Sequence, residues 1–547
     1  MKTPILGSAY VARSINAADN RCVNLFPELI PEGGKEAAFF NRAPGLKFQQ
    51  TVGTGPIRAL WAHQTNGADF YVVSGNEVYK LTSLTGTPVK LGNVSGTGPV
   101  SIADNGTQLF FACNPDGYIY NETTNVFSQI TDPDFPGAVT VQYLDGYFVF
   151  NEPNSQRLWV TSLLDGTAID PLDFASAEGS PDGVAAVAVQ HRELWVFGTD
   201  TVEVWYDAGL AAFPMAPIQG ALNEIGCAAA FSVAKLDNAL FWLGADARGY
   251  GIVYRNKGYS GERISTHAIE YAIQQYTTIS DAVGYTYQQE GHAFYVLNFP
   301  TANATWVYDV STQAWHERAG FSNGAFTRHR SNCQCNFNYN TVIGDYQNGN
   351  IYTFDLNVYA DNSGVQKWLR SWRALPTGQN NLKRTAHHSL QLDAETGVGL
   401  NGYAAYDAQD LTTETNDVII AEFVQGYLTT QAGNQLVTEA GDGNEPLVTQ
   451  VQLPEDYNGY ALETNAYPAT AGYDPQVMLR WSDDGGHTWS NEHWNSMGKI
   501  GTYGTRTIWR RLGMTEKIRD RVYEVSGTDP IKIAIVGAEL FITPTNS

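Results

Sequence analysis

Apolar and polar positions alternate with a period of two through most of this chain, most clearly around Ser176 to Gly209. A turn-rich loop, Glu178-Gly179-Ser180-Pro181-Asp182-Gly183, leads into a small apolar strand from Val184 to Val189. A polar corner, Gln190-His191-Arg192-Glu193, precedes a dense strand from Leu194 to Phe197. Gly198-Thr199-Asp200 turns the chain and Thr201 to Tyr206 returns it. β-Branched and aromatic residues alternating between tight polar turns predict an antiparallel meander.

The same unit recurs along the chain. Its dense strands are Phe70-Tyr71-Val72-Val73, Leu109-Phe110-Phe111-Ala112, Tyr147-Phe148-Val149-Phe150, Leu240-Phe241-Trp242-Leu243 and Phe294-Tyr295-Val296-Leu297. A weaker copy is Thr341-Val342-Ile343-Gly344 followed by Asn350-Ile351-Tyr352-Thr353-Phe354. First turns fall near positions 66, 105, 145, 191, 237, 290 and 339, so the step is about 40 to 53 residues, the range of a four-stranded propeller blade. One blade cannot bury both of its faces, whereas a closed ring of blades can. The pattern predicts an all-β chain with a β-propeller of six or seven blades over residues 56–360. A pair of β-sandwiches is the alternative for repeated strands, and the even spacing weighs against it.

On either side of the repeats the pattern changes. Residues 1–55 are irregular, with short apolar pieces pinned by prolines, and predict an extended N-terminal arm that packs on something else. Strand patterns at 361–393 and 473–547 predict a β-sandwich-like platform domain. Residues 394–472 are polar, acidic and rich in Thr, Gly and Asn, which predicts an exposed insertion. Within it, Tyr427 to Gly433 is loosely echoed by Leu436 to Gly441.

Composition narrows the function. Charged residues are 16 % of the 547 and aromatics 12 %, with 53 glycines, which favours short strands and turns over long solvated helices. With 33 basic and 56 acidic residues the formal net charge is −23, so the surface does not grip nucleic acid through its phosphates. The densest basic stretch, Lys499 to Arg521, reads as solvated strand faces offsetting nearby acids. The five cysteines are scattered, and Cys333-Gln334-Cys335 lacks the second pair of a structural zinc site, so free thiols in a reducing compartment are expected. The N-terminus has no signal-peptide apolar region and no membrane span is expected, so a soluble protein made in a cytoplasm is predicted.

Candidate chemistry is thin. Asp145, Glu178, Asp182, Glu193, Asp200 and Glu203 all sit at strand–turn junctions, and none separates as the acid/base pair a glycosidase needs. His63, His191, His267, His292, His316, His329, His387 and His388 show no metal-ligand spacing, and His387-His388 alternates faces in a strand. No nucleophile elbow or phosphate-cradling loop is present. Ser482-Asp483-Asp484-Gly485-Gly486-His487-Thr488-Trp489 fits the Asp-box pattern, resembling the motif of sialidases and other glycan-active propellers, and predicts a fold-stabilising hairpin. No catalytic, cofactor-binding or metal residue is assigned, no cofactor is expected, and the chain is read as a non-enzyme.

Several motifs in one order carry a resemblance. Glu178 to Gly209, Arg263-Ile264-Ser265-Thr266-His267-Ala268-Ile269-Glu270, Gly291 to Thr301, Thr305-Trp306-Val307-Tyr308-Asp309 and Trp315-His316-Glu317-Arg318 resemble the tail-hub, or nozzle, proteins of short-tailed phages, the packaged DNA stabilisation proteins. The likeness covers roughly residues 20 to 395 and, more weakly, 473 to 547. The resemblance implies a structural virion protein, assembled in the host cytoplasm, six copies of which form a ring below the portal and adaptor. That ring continues the channel for double-stranded DNA, which passes without sequence-specific binding. It helps retain packaged DNA, carries a tail needle, fibres or tailspikes, and takes part in genome ejection. On this reading the arm before residue 55 ties neighbouring subunits or the adaptor. The competing reading is a glycan-binding or glycan-hydrolysing propeller, for which the aromatics and the Asp-box speak. A generic propeller scaffold that stays monomeric is a third.

Overall fold

The computed structural model describes residues 1–398 apart from 16, 64–68, 178, 212, 247–248, 363 and 377–383, and residues 474–545 apart from 500 and 516–520. Of the expected insertion at 394–472, its first residues to 398 and a short antiparallel pair, Leu411–Thr412 with Val418–Ile419, are described. The echoed stretch 427–441 lies outside the described residues.

Seven antiparallel meanders build the propeller. Their innermost strands are Ile57–Ala62, Ser101–Asp104, Val141–Leu144, Val184–Gln190, Ala234–Leu236, Val283–Gln289 and Ser331–Phe337. Successive blades neighbour one another all the way round, and the seventh returns to lie against the first. The second strand of each blade is buried on both faces, which explains its near-continuous apolar run. In Gln108–Cys113 every residue is buried. Leu109, Phe111 and Cys113 pack against Tyr71, Val73 and Val78 of the first blade, while Phe110 and Ala112 pack against Phe148 and Phe150 of the third. The period-2 pleat thus gives one side chain to each inter-blade core. Burying each large apolar side chain this way contributes about 1.5–3 kcal/mol.

In five blades the hairpin between first and second strands is a tight turn. Asp145-Gly146, His191-Arg192, Asp237-Asn238, Glu290-Gly291 and Asn338-Tyr339 all have positive φ at both positions, with the flanking residues paired, as in Leu144 with Tyr147 and Gln190 with Glu193. This is the two-residue type I′ turn, whose twist matches that of the strands it joins.

The expected arm is a correction. Residues 1–55 are built into their own chain. Gly45–Thr51 is the fourth strand of the seventh blade, pairing antiparallel with Asn350–Asp355. That blade gave the weakest repeat because its fourth strand is supplied from about 300 residues upstream. Further upstream, Leu25–Leu29 and Ala38–Arg42 join Ala534–Pro544, Thr385–Ala394 and Thr507–Arg510 in one sheet. The physical reason is burial: Leu25, Phe26, Phe40 and Leu46 are apolar and lose nearly all their exposure.

A single nine-stranded sheet joins the sixth blade to the sandwich. The blade ends at Ala314–Glu317. The two-residue strand Cys22–Val23 pairs parallel with it at Glu317 and antiparallel with Trp368–Arg373 on its other side. The sheet then continues through Val522–Gly527, Gln476–Ser482 and His493–Ser496. Across the sandwich, Trp372, Tyr523 and Leu479 pack against Leu390, Trp509, Ile535 and Leu540 in one core that also holds Phe241, Leu297 and Trp306 of the propeller. One α-helix, His267–Gln274, lies where only strands were anticipated. Thr266 caps it, and Ala268, Ile269 and Ile273 face the core.

Asn24, fully buried with φ 53°, follows the bridging strand. Its side-chain amide donates to the carbonyls of Ala319 (2.8 Å) and Lys367 (2.7 Å), and its Oδ1 accepts from the Ala319 N–H at 3.0 Å. Asn24→Ala removes all three bonds and leaves buried backbone groups unpaired in a left-handed position, so it should cost at least about 3 kcal/mol, read from the midpoint of urea denaturation.

Candidate functional site

The turns that join first to second and third to fourth strands emerge on one face of the propeller, and Asp145, Glu193, His63, His191 and His292 lie at such turns, while the other acids and histidines singled out from the sequence lie elsewhere. Nearly all are committed to local structure. Asp145 pairs with exposed Arg192 of the next blade at 2.6 Å. Asp182 is buried and accepts from the Asp200 and Thr201 N–H groups at 2.8 and 2.9 Å, so it shapes the turn that holds Asp200. Glu203 accepts from the Gly179 N–H and the Trp205 indole, both at 2.8 Å. Glu193 accepts from the Tyr259 hydroxyl at 2.6 Å. Glu178 lies outside the described residues.

The histidines divide in the same way. His292 Nδ1 lies 2.8 Å from the buried Asp309 carboxylate, which raises its pKa. His387 is buried against the Tyr523 hydroxyl at 2.7 Å, and burial lowers its pKa to about 3. His388, its neighbour, points outward to Thr543, so the alternation read from the strand holds. His329 is buried beside Ser331 and held near 3 by burial and three nearby arginines. His267 opens the helix beside Arg263 and Glu270. His191 occupies a left-handed turn position.

One cluster was not legible in the spacing. His63, Asp104 and Glu122 come from three turns of the first two blades. His63 Nε2 lies 2.7 Å from Glu122 Oε1 and Nδ1 lies 3.3 Å from Asp104 Oδ2. The Tyr71 hydroxyl also donates to Glu122 at 2.5 Å, and the Gly106 N–H holds the other Asp104 oxygen at 2.6 Å. Burial raises the Asp104 carboxyl against the pull of Gly106 and His63. The Trp61 ring meets the imidazole edge-on at 4.7 Å. Equivalent turns fall on one face in every blade, and that is the signal by which blade alignment alone could have brought the three together.

At the junction of propeller and sandwich the buried groups are cationic and aromatic. Arg42 donates to the carbonyls of Ile531 (2.9 Å), Tyr359 (3.1 Å) and Gln366. Arg318, between the sixth and seventh blades, lies 5.2–5.4 Å from the Tyr287, Phe294 and Phe354 ring centroids. Asp361, buried beside the closing strand, accepts from Gln366 at 3.4 Å, and burial pushes its carboxyl up to about 7 despite Arg330, Arg42 and Arg318.

The Asp-box is a hairpin outside the propeller. Ser482 Oγ donates to Asp484 at 2.6 Å. Asp484 also accepts from the Thr488 N–H (2.9 Å) and hydroxyl (2.7 Å), and the Ser482 bond, with those from Thr488, holds its carboxyl well below the usual range. Gly485 and Gly486 take positive φ, and the Arg480 guanidinium covers the Trp489 ring at 4.7 Å. Asp483 forms a bidentate pair with buried Arg521, both bonds 2.7 Å, so this member of the basic stretch is a structural ion pair and not a solvated face.

Two measurements check this reading. Asp361 has a folded-state pKa above its unfolded value of 3.8, so the folded state binds the extra proton and this group's contribution to stability falls as pH rises from about 4 to about 7. Asp361→Asn should therefore gain on the wild type across that window, in urea denaturation at a series of pH values. His191→Gly relieves a left-handed residue in an exposed turn and should stabilise by about 0.5–1 kcal/mol in the same assay.

Comparisons with known proteins agree with the architecture. The family model described as bacteriophage P22 Gp10, beta-propeller, matches residues 1–359, and that described as bacteriophage P22 Gp10, beta-sandwich, matches 449–543. No curated protein matches. Among solved structures, the computationally designed Ika8 protein matches at 12 % identity over 57 % of this chain and 99 % of that chain, with a TM-score of 0.36. The N-terminal domain of Nup159 matches at 10 % over 60 % and 98 %, TM-score 0.36, and a chain of the mitotic checkpoint complex at 12 % over 60 % and 98 %, TM-score 0.37. Likenesses at these scores carry no argument. With its propeller and sandwich both matched in order, the chain belongs to the bacteriophage P22 Gp10 family, the packaged DNA stabilisation proteins, and is a phage structural protein.

Proposed function

We propose that this chain is the tail-hub, or nozzle, subunit of a short-tailed phage. Copies of it, six by family resemblance, close into a ring below the portal and adaptor, assembled in the host cytoplasm. The ring continues the DNA channel, helps retain the packaged genome and anchors the needle, fibres or tailspikes. It opens the way for DNA at ejection. The observation that carries this reading is the ordered match of both domains to the family. Two physical features support it. The net charge of −23 suits a wall past which DNA slides without sticking. The sheet shared by blade and sandwich makes the subunit a single stiff building block, which suits a heterologous interface that must repeat at one fixed angle to close. The candidate acids that shape turns and the Asp-box that binds its own hairpin add nothing to the glycan reading.

The test is the solution mass of the purified protein, alone and with the portal–adaptor complex. A ring of about six copies, free or formed on the adaptor, is the expected result. A stable monomer that ignores the adaptor contradicts the proposal.

A further inference from the structure

The first and second blades meet at a group of side chains with more negative charge than their neighbours balance. Asp104 and Glu122 both face the single imidazole of His63. Lys80 is paired with Asp69, and its charge reaches Glu122 only as a minor influence. All three residues are partly buried, with side chains about one-fifth exposed, so water screens the two carboxylates incompletely while solvent still reaches them.

Geometry distinguishes the two nitrogens of His63. The 2.7 Å contact of Nε2 with Glu122 is a good hydrogen bond, which places the ring proton on Nε2 and leaves the Nδ1 lone pair turned toward Asp104 Oδ2 at 3.3 Å. Two such acceptors repel each other unless something positive lies between them. A proton is one solution. A divalent ion is the other: bond lengths of about 2.0–2.2 Å at a tetrahedral centre put neighbouring ligand atoms about 3.3 Å apart.

The surroundings are also those of a metal ligand set. Glu122 on Nε2–H fixes the tautomer and the ring orientation, the arrangement in which a carboxylate steadies a histidine that binds metal through its other nitrogen. Tyr71 holds Glu122 in turn, and the Gly106 N–H holds the far oxygen of Asp104 so that Oδ2 points at His63. One ligand atom from each of the three residues lies within 4.8 Å of the others, so Glu122 stays beside the site as the group that orients the imidazole.

We propose that His63 Nδ1 and Asp104, with Glu122 steadying the imidazole from its other nitrogen, bind a divalent cation of the zinc class, which bolts the first blade to the second. The nitrogen–oxygen donor set suits zinc better than calcium or magnesium, which take oxygen ligands in greater number. Binding uses the neutral imidazole and displaces any proton on Nδ1. The site does not depend on the tail-hub reading.

The test is titration of the full-length protein with Zn2+ by calorimetry, together with its thermal unfolding with and without the ion. The wild type should take up one ion saturably at this site and unfold at a higher temperature with zinc present. His63→Gln, which keeps a side-chain donor for Glu122 but has no imidazole nitrogen, should weaken that uptake at least tenfold, a drop of about 1.4 kcal/mol in binding free energy, and Asp104→Asn should do likewise. His267→Ala, which removes an exposed histidine elsewhere, should leave it unchanged. Circular dichroism verifies that each variant is folded, and the absorption of Co2+ bound to the wild type, shifted by a nitrogen ligand, reads the site without any variant. Absence of saturable zinc uptake by the wild type overturns the proposal, as does uptake that His63→Gln and Asp104→Asn leave intact.

Discussion

The structure depends on a bridge two residues long. Cys22–Val23 is hydrogen-bonded on one edge to the last strand of the sixth blade and on the other to the first strand of the sandwich sheet. Without it, each of those strands would present an open edge to solvent at the centre of the molecule. Asn24 then turns the chain in a left-handed conformation and sends it into the opposite sandwich sheet, while Gly45–Thr51 closes the propeller. One segment of about thirty residues therefore closes the ring of blades and welds it to the sandwich. The closing strand also fixes Gly45 in a place where any side chain would strike the carbonyl oxygens of Val358 and Ala360.

Such a weld concentrates buried charge. Arg42, Arg318 and Arg370 are all essentially inaccessible, Arg318 between the sixth and seventh blades. Arg42 is satisfied by carbonyls, and Arg370 reaches the Ile5 carbonyl at 2.7 Å while lying 5.0 Å from the Phe40 ring. The Arg318 guanidinium is held in a cage of three rings, an attraction of about 0.5–2 kcal/mol. His316, two residues before it, is kept neutral by burial and by that guanidinium.

Much of this was legible in the sequence, and the divide follows contact order. The blades were readable because each is local: a dense strand such as Phe110-Phe111 between tight turns already implies burial on both sides, and Asp145-Gly146 or Glu290-Gly291 already implies a type I′ hairpin. The N-terminal strands were not: Cys22–Val23 and Gly45–Thr51 have their partners hundreds of residues away, and the local pair Leu25–Leu29 with Ala38–Arg42 has its pattern broken by Pro27. The helix at His267–Gln274 was missed for a different reason: it is two turns long, and its apolar residues number too few to show a 3.6 period above the surrounding strands. At the His63 cluster the sequence offered the right residue types but no spacing, since blades and not motifs bring them together.

The central claim is that propeller and sandwich are one cooperative unit held by residues 22–51. Native-state hydrogen–deuterium exchange measures this directly. The account predicts that the amides of Val23, Asn24 and Gly45 to Thr51 exchange through the same high-energy opening as the strands Trp368–Arg373 and Asn350–Asp355 on either side of them. Fast exchange in the N-terminal strands, with propeller and sandwich each retaining protection and opening independently, would contradict it.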